Sequence, residues 1–203
     1  MIKLPPGVDI NELISDLKIF CWEASDIMLN YSQIIKDSKN KSNILIKGNV
    51  EDPVTLADIK VNEIIIKRIE ENYKNINWEI LSEENAKDNT NKISLNKDFV
   101  WCIDPLDGTK DFIQGTGNYA MHLGLNYKNK PYLGAVLIPD KEELWITNNQ
   151  KVWCENKYGE LKETKLSKKF DLKEMTIVTS KNHRNQTLNN LIRKLNFKEI
   201  IVM

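Results

Sequence analysis

The chain has 203 residues, of which 41% are hydrophobic and 29% charged, a composition typical of a globular protein with one large or two small domains. Lys+Arg and Asp+Glu both total 29, and no apolar stretch approaches the roughly 18 residues of a membrane span, so we expect no nucleic-acid polymer and no membrane as partners. Three cysteines without CxxC spacing predict a reducing, cytoplasmic location rather than a disulfide framework or a structural zinc.

The first third of the chain predicts two amphipathic helices. Apolar residues recur at three- and four-residue steps from Ile10 to Tyr31, which indicates a long helix that opens near Asp9. The polar stretch from Lys36 to Asn49 predicts a mobile loop. A second helix is predicted to start at Thr55 and to run to about Tyr73.

The middle of the chain predicts a sheet. Short apolar segments alternate with polar turns, and we predict strands at residues 79–81, 99–103, 119–127, 132–138, 144–147 and 151–154. The connections at Asn129-Lys130 and Asn148-Asn149 are short, and such tight connections join antiparallel strands. We therefore predict an antiparallel sheet within an N-terminal α+β domain at residues 1–160.

Residues 161–203 predict the beginning of a second domain. A strand at 175–179, a helix at 185–195 and a strand at 199–203 follow one another. A strand–helix–strand unit is how an α/β domain begins. The second domain is therefore predicted to be α/β and incomplete.

Carboxylates stand at the ends of predicted elements in three separate segments. They are Asp58 in PVTLAD, Glu83 and Glu84 in ILSEE, and Asp104 and Asp107 in WCIDPLDGTKDF. A buried strand would deliver Asp104 to the edge of the sheet, where Pro105 turns the backbone out of strand geometry. Asp107 would then face the same point in space.

The residues that follow Asp107 predict an anion site. Gly108 removes a Cβ where the backbone must approach something closely. Thr109 opens a predicted helix that runs to about Ile113, and the free N–H groups at its start favour an anion. Carboxylates beside an anion conflict with it unless divalent cations lie between them. Hard oxygen ligands with phosphate as co-ligand indicate Mg²⁺ or Mn²⁺.

Each segment also has a purely structural interpretation. Glu83 and Glu84 alone would be a solvated pair, and Asp58 falls three residues after Thr55, so these two could form a capping box. The Asp-Gly-Thr step could be a plain turn and helix cap. The occurrence of all three segments in this order favours a shared site. A calcium loop of the EF-hand type does not fit, because the acidic spacing is wrong.

The segments PVTLAD, ILSEE and WCIDPLDGTKDF resemble three signatures of the inositol monophosphatase superfamily, in register from the first helix to the end of the chain. The resemblance implies an α+β fold, a layered α/β/α/β sandwich with an antiparallel N-terminal sheet and, here, an incomplete C-terminal α/β half. It also implies a phosphoric monoester hydrolase whose active site lies between the two halves.

The resemblance assigns metal binding to the side chains of Glu83, Asp104 and Asp107 and to the backbone carbonyl of Leu106. The implied cofactor is Mg²⁺, as two or three ions, with Mn²⁺ as an alternative. Two such cations can clamp the attacking and leaving oxygens of an in-line displacement.

The resemblance also assigns substrate-binding and catalytic roles. Four residues would bind the substrate: Asp107, Gly108, Thr109 and Lys110. Lys110 would meet a second phosphate, or would lie exposed on the helix. The implied catalytic residues are Glu83, Asp58 and Thr109, with Asp58 hydrogen-bonded to Thr109 and helping Glu83 to activate the attacking water.

The lysine after DGT, followed by Asp111 and Phe112, resembles the 3′(2′),5′-bisphosphate nucleotidases. The predicted reaction is therefore hydrolysis of a small phosphorylated metabolite, 3′-phosphoadenosine 5′-phosphate, to AMP and phosphate by a monomer or homodimer. The alternatives are an inositol or sugar phosphate monophosphatase and an inactive module that binds a phosphate ligand. A haloacid dehalogenase-like enzyme fits less well, because its motif has one residue between the aspartates and two separate Asp104 from Asp107.

The sequence departs from the family pattern near its C-terminus. Family members continue with a Gly-Ser step that contacts substrate and a Trp-Asp motif whose aspartate binds metal, and this chain has neither. We therefore expect a cut chain that is weakly active or inactive as it stands, with a natural end in an edge strand as the alternative. His122 is predicted to be structural within a strand, and His183 to lie on the surface.

Overall fold

The structure describes six stretches of the chain. The computed structural model describes residues 4–37, 45–48, 53–88, 97–148, 151–180 and 184–202. His183 and Asn149 lie outside these residues. Backbone contacts divide the chain into two units, Met1–Thr164 and Lys165–Met203.

Two long helices begin where the sequence predicts. Helix α1 (Ile10–Asp37) starts after Asp9, whose Oδ1 accepts the N–H groups of Asn11 at 2.8 Å and Glu12 at 3.1 Å. Helix α2 (Leu56–Asn72) starts after Thr55, whose hydroxyl accepts the N–H of Ala57 at 3.2 Å. Both helix starts are confirmed. Each follows from a short polar side chain that satisfies N–H groups left open at a helix start.

Strands and short helices fill the rest of the first unit. The strands are β1 (Leu45–Gly48), β2 (Pro53–Thr55), β3 (Glu79–Ser82), β4 (Phe99–Asp107), β5 (Ala120–Tyr127), β6 (Lys130–Ile138), β7 (Glu143–Thr147), β8 (Val152–Glu155) and β9 (Leu161–Lys162). The short helices are α3 (Glu83–Asp88) and α4 (Thr109–Gln114). Seven of the described strands form one sheet in the order β3-β4-β5-β6-β7-β8-β9. The predicted α+β class is thus observed.

The sheet is antiparallel from β4 to β9, but β3 pairs with β4 in parallel. The prediction of a wholly antiparallel sheet is therefore wrong at this one pair. Adjacent parallel strands need a crossover connection rather than a hairpin, and here helix α3 and residues 89–98 separate the two strands in sequence. The register pairs Ser82 with Ile103.

The two long helices and one face of the sheet form the core. Strand β5 alternates buried residues with half-exposed ones, and the buried set of the sheet joins the buried faces of α1 and α2 in one cluster. Full burial of one large apolar side chain stabilises a fold by about 1.5–3 kcal/mol. The other face of the sheet carries the half-exposed side chains of Cys102, His122 and Trp145.

Three local predictions are corrected. Within the predicted loop at 36–49, α1 continues to Asp37 and residues 45–48 form strand β1, which pairs with β2; residues 38–44 and 49 lie outside the described residues. Strand β4 does not end at Asp104, because pairing resumes at Asp107 after a register shift. The turn before β6 consists of Lys128 and Asn129, with φ of 48° and 62°, rather than Asn129-Lys130. Paired positive φ values match the twist of a tight hairpin.

The second unit contains one parallel strand pair and a helix. Strand β10 (Thr176–Thr179) pairs with β11 (Glu199–Val202), and helix α5 (Gln186–Leu195) connects them. Asn185 caps α5 by accepting the N–H of Leu188 at 2.9 Å. The predicted strand–helix–strand unit is observed.

Among the helices in the described part of the chain, none is long and apolar enough to cross a membrane.

Leu17→Ala should lower the free energy of unfolding of the first unit by about 2–5 kcal/mol, because it opens a cavity in the core. Leu17 is 1% exposed, whereas Ile19 on the same helix is 55% exposed. The matched change Ile19→Ala should alter the free energy by no more than about 0.5 kcal/mol. The five tryptophans all lie in this unit, so their fluorescence during urea unfolding measures it. Equal losses from the two changes would contradict the packing described.

Candidate metal and phosphate site

Glu83 and Asp104 meet at one edge of the sheet. Ser82 and Ile103 are register partners in the parallel pair β3–β4. Glu83 directly follows Ser82 in the chain, and Asp104 directly follows Ile103. Their carboxyl groups lie within hydrogen-bonding reach of each other. Burial raises the pKa of Asp104 most, and the neighbouring Glu83 and Asp107 carboxylates raise it further. The pair therefore lies in a region of strongly negative potential.

Asp107 lies beside this pair, after an irregular segment of β4. Asp104 Oδ1 accepts the N–H of Leu106 at 3.2 Å, and this short turn brings the chain round to Asp107, which is exposed. Within the described residues, no three His, Cys, Asp or Glu side chains are close enough to form a closed metal site. Asp107 acts on Asp104 through its charge.

The donors at this edge suit a hard cation. Three carboxylates and the backbone carbonyl of Leu106 offer only oxygen ligands, which Mg²⁺ and Mn²⁺ prefer. The Leu106 side chain is buried, and its carbonyl oxygen lies 3.1 Å from the Thr109 hydroxyl. The residues present therefore fit the predicted cation, although the carboxylates have not closed around a single point.

Gly108 has a backbone conformation that other residues resist. Its φ is +85°, and a Cβ built on it would lie 2.7 Å from the carbonyl oxygen of Asn118 and 3.3 Å from Cα of Tyr119. The close approach predicted at Gly108 is therefore made by the backbone of residues 118–119. This contact holds the start of α4 against the start of β5.

Asp58 joins the beginning of α2 to the beginning of α4. Its Oδ2 accepts the N–H of Thr55 at 2.8 Å and the Thr55 hydroxyl at 2.5 Å, which completes a capping box. Its Oδ1 lies 3.2 Å from the Thr109 hydroxyl. The structural and functional interpretations of Asp58 are therefore compatible, because each uses a different oxygen.

Burial and hydrogen bonds act in opposite directions on Asp58. The residue is 3% exposed. Burial raises its pKa, whereas the hydrogen bonds from Thr55 and Thr109 lower it, with burial the larger effect. The Thr109 hydroxyl has one proton, and it lies within reach of both Asp58 Oδ1 and the carbonyl oxygen of Leu106. The Asp58 carboxylate and the Leu106 carbonyl are therefore alternative acceptors for the hydrogen bond of the Thr109 hydroxyl.

Helix α4 is short but firmly anchored. Phe112 is fully buried and packs edge-on against Tyr119, with ring centroids 4.8 Å apart. The first intrahelical bond runs from the N–H of Phe112 to the carbonyl of Gly108 at 2.9 Å. The N–H groups before Phe112 have no partner within the helix, and Lys110 is partly exposed beside them.

His122 lies closer to the carboxylates than its predicted structural role implies. It is the register partner of Asp104 on β5 and is half-exposed. It lines a cavity of about 560 Å³ together with Glu83 and Asp104. This position follows from the β4–β5 register, and no local sequence signal marks that register.

Comparisons with known proteins identify the family of the chain. The profile of the Inositol monophosphatase family matches residues 16–199. A 3′(2′),5′-bisphosphate nucleotidase CysQ of Buchnera aphidicola subsp. Acyrthosiphon pisum is 30% identical over 143 residues, which cover 70% of this chain and 51% of the relative. Inositol monophosphatase 1 of Bos taurus is 31% identical over 105 residues, which cover 51% of this chain and 37% of the relative.

A solved structure shares the fold. The extragenic suppressor protein suhB of Bartonella henselae has a TM-score of 0.72 to this chain at 20% identity, covering 94% of this chain and 70% of that chain. The predicted inositol monophosphatase-like fold is thereby confirmed. The match over residues 16–199 shows that the chain belongs to the inositol monophosphatase family. The chain spans about half the length of the curated CysQ relatives that it matches.

Gly108→Ala should destabilise the first unit more than Gly115→Ala. Both glycines have positive φ, 85° and 72°, but a Cβ at Gly115 would meet only the Lys36 side chain, at 3.8 Å. The left-handed conformation alone costs about 1–2 kcal/mol, and the clash with Asn118 should add about 1–3 kcal/mol at Gly108. Urea unfolding followed by fluorescence measures both costs. Equal costs would show that the contact with residues 118–119 is unimportant.

Proposed function

We propose that this chain carries the cation- and phosphate-binding half of a Mg²⁺-dependent phosphomonoesterase site. The observation that carries the proposal is the Glu83–Asp104 carboxyl pair beside the start of helix α4. Paired acidic groups next to open N–H groups fit a cation that bridges protein carboxylates and a phosphate. Family membership supports the same reaction class.

Each residue at the edge would have a separate task. Glu83, Asp104, Asp107 and the carbonyl of Leu106 would hold the cations. Bound Mg²⁺ or Mn²⁺ would neutralise the carboxylates, polarise the phosphate and lower the pKa of an attacking water. The residues of the chain would contribute to catalysis mainly by positioning the reactants and stabilising charge. The proposed reaction therefore needs no protein nucleophile.

The start of α4 would bind the phosphate. The N–H groups of Gly108 and Thr109 have no intrahelical partner and can donate to phosphate oxygens. When the Thr109 hydroxyl donates its hydrogen bond to Asp58, the lone pairs of the Leu106 carbonyl remain available for a cation. Asp58 would thus orient Thr109 and help Glu83 to activate the attacking water.

The proposed substrate is a bisphosphorylated nucleoside such as 3′-phosphoadenosine 5′-phosphate. Several relatives that are 28–30% identical over about 70% of this chain are named 3′(2′),5′-bisphosphate nucleotidase CysQ. The partly exposed Lys110 beside the phosphate region offers a charge for a second phosphate. An inositol phosphate is the second candidate, supported by the similarity to the bovine Inositol monophosphatase 1.

Asp104→Asn should lower Mg²⁺-dependent phosphate release by at least about 100-fold, because it removes a charge that holds the cation and stabilises the transition state. The matched change Asp98→Asn lies at the other end of β4, where Asp98 pairs with Lys128 at 3.6 Å on the surface, and should leave the rate unchanged. Phosphate release from 3′-phosphoadenosine 5′-phosphate and from inositol 1-phosphate is measured in parallel. Release that does not need Mg²⁺, or a covalent aspartyl-phosphate, would contradict the mechanism.

Thr109→Val and Thr109→Ser separate the hydroxyl from the shape of the side chain. Valine keeps the size but removes the proton shared between Asp58 and Leu106, so the rate should fall by about 100-fold. Serine keeps the hydroxyl and should retain most of the activity. The comparison uses initial rates at saturating Mg²⁺. A valine variant as active as the serine variant would rule out a role for the hydroxyl.

A further inference from the structure

His122 stands directly opposite Asp104 on the neighbouring strand. The two residues are register partners in the antiparallel pair β4–β5, which places their Cβ atoms about 4.5–5.5 Å apart on the same face of the sheet. Both line the cavity that also contains Glu83. The imidazole is therefore within side-chain reach of the Asp104 carboxyl group.

On the β6 side, His122 is the register partner of Val136, and two glycines follow along the same face of the sheet. The next residue on the same face of β5 is Gly124, which is the register partner of Gly134 on β6. These two glycines place no side chain beside the imidazole. No hydrogen bond joins the ring to another of the described residues. A neutral imidazole has one N–H donor and one acceptor nitrogen.

Asp104 has remaining capacity for a donor. Its Oδ1 accepts the N–H of Leu106 at 3.2 Å, and the carboxyl group lies within hydrogen-bonding reach of Glu83. An ionised carboxylate has about four acceptor positions. A cation would occupy some of these positions, and the others would stay open to a donor from the side of β5.

We propose that His122 is a positioning residue of the cation site, whose ring N–H donates to the Asp104 carboxylate and fixes its orientation toward the cation. The inference rests on the proposed function, since it assumes that Asp104 holds a cation. Side chains that hydrogen-bond a metal-ligating carboxylate typically change metal affinity by 10- to 100-fold. Strand β5 would thus supply the cation site with a residue that touches neither metal nor substrate.

Mn²⁺ binding to the 203-residue chain, measured by isothermal titration calorimetry, tests the inference without an activity assay. His122→Leu should weaken Mn²⁺ binding by about 10-fold or more. His122→Asn keeps a side-chain N–H donor and should restore most of the affinity. Asn126→Leu is the matched control on the same face of β5, where Asn126 donates to Cys102 Sγ at 3.2 Å, and should bind Mn²⁺ like the unchanged chain.

The outcomes separate the inference from the proposed function. Unchanged affinity in His122→Leu would overturn the positioning role while leaving the cation site intact. Affinity lost equally in His122→Asn and His122→Leu would also overturn it, because a packing effect does not depend on an N–H donor. Failure of the unchanged chain to bind Mn²⁺ would overturn the proposed function, and the inference with it.

Discussion

The parallel pairing of β3 with β4 is the constraint on which the site depends. Because the two strands run in the same direction, Glu83 and Asp104 follow adjacent register partners and meet at one edge of the sheet. Antiparallel pairing would place them beyond opposite ends of the ladder, roughly 16 Å apart. The parallel register therefore brings the two carboxyl groups within hydrogen-bonding reach of each other.

This arrangement is unfavourable for the protein alone. Burial and the two neighbouring carboxylates raise the pKa of Asp104, which means that its charged form is destabilised at this position. Nearby, Asp58 supports the same region in two ways, since one oxygen closes the capping box of α2 and the other faces Thr109, 51 residues further along. Local rules that a fold breaks in this way are typical of functional sites, and the proposed cation accounts for the concentration of acidic groups.

Much of this could be predicted from the sequence because it depends on local chemistry. The starts of α1 and α2 follow from Asp9 and Thr55, and the Asp-Gly-Thr step correctly predicted a short helix at Thr109. What the sequence analysis missed depends on long-range register. The parallel direction of β3, the continuation of β4 to Asp107 and the position of His122 opposite Asp104 follow from pairing between distant segments, which hydrophobic periodicity does not encode. Similarly, a glycine at position 108 predicted that another group lies close to the backbone there. The sequence did not show that this group is the carbonyl of Asn118.

Anomalous diffraction from crystals of this chain grown with Mn²⁺ and inorganic phosphate tests the central claim most directly. The account predicts a manganese peak about 2.0–2.2 Å from oxygens of Glu83, Asp104 and the Leu106 carbonyl, with the Asp107 side chain turned toward it and phosphate at the start of α4. Manganese bound elsewhere, with no metal between Glu83 and Asp104, would contradict it.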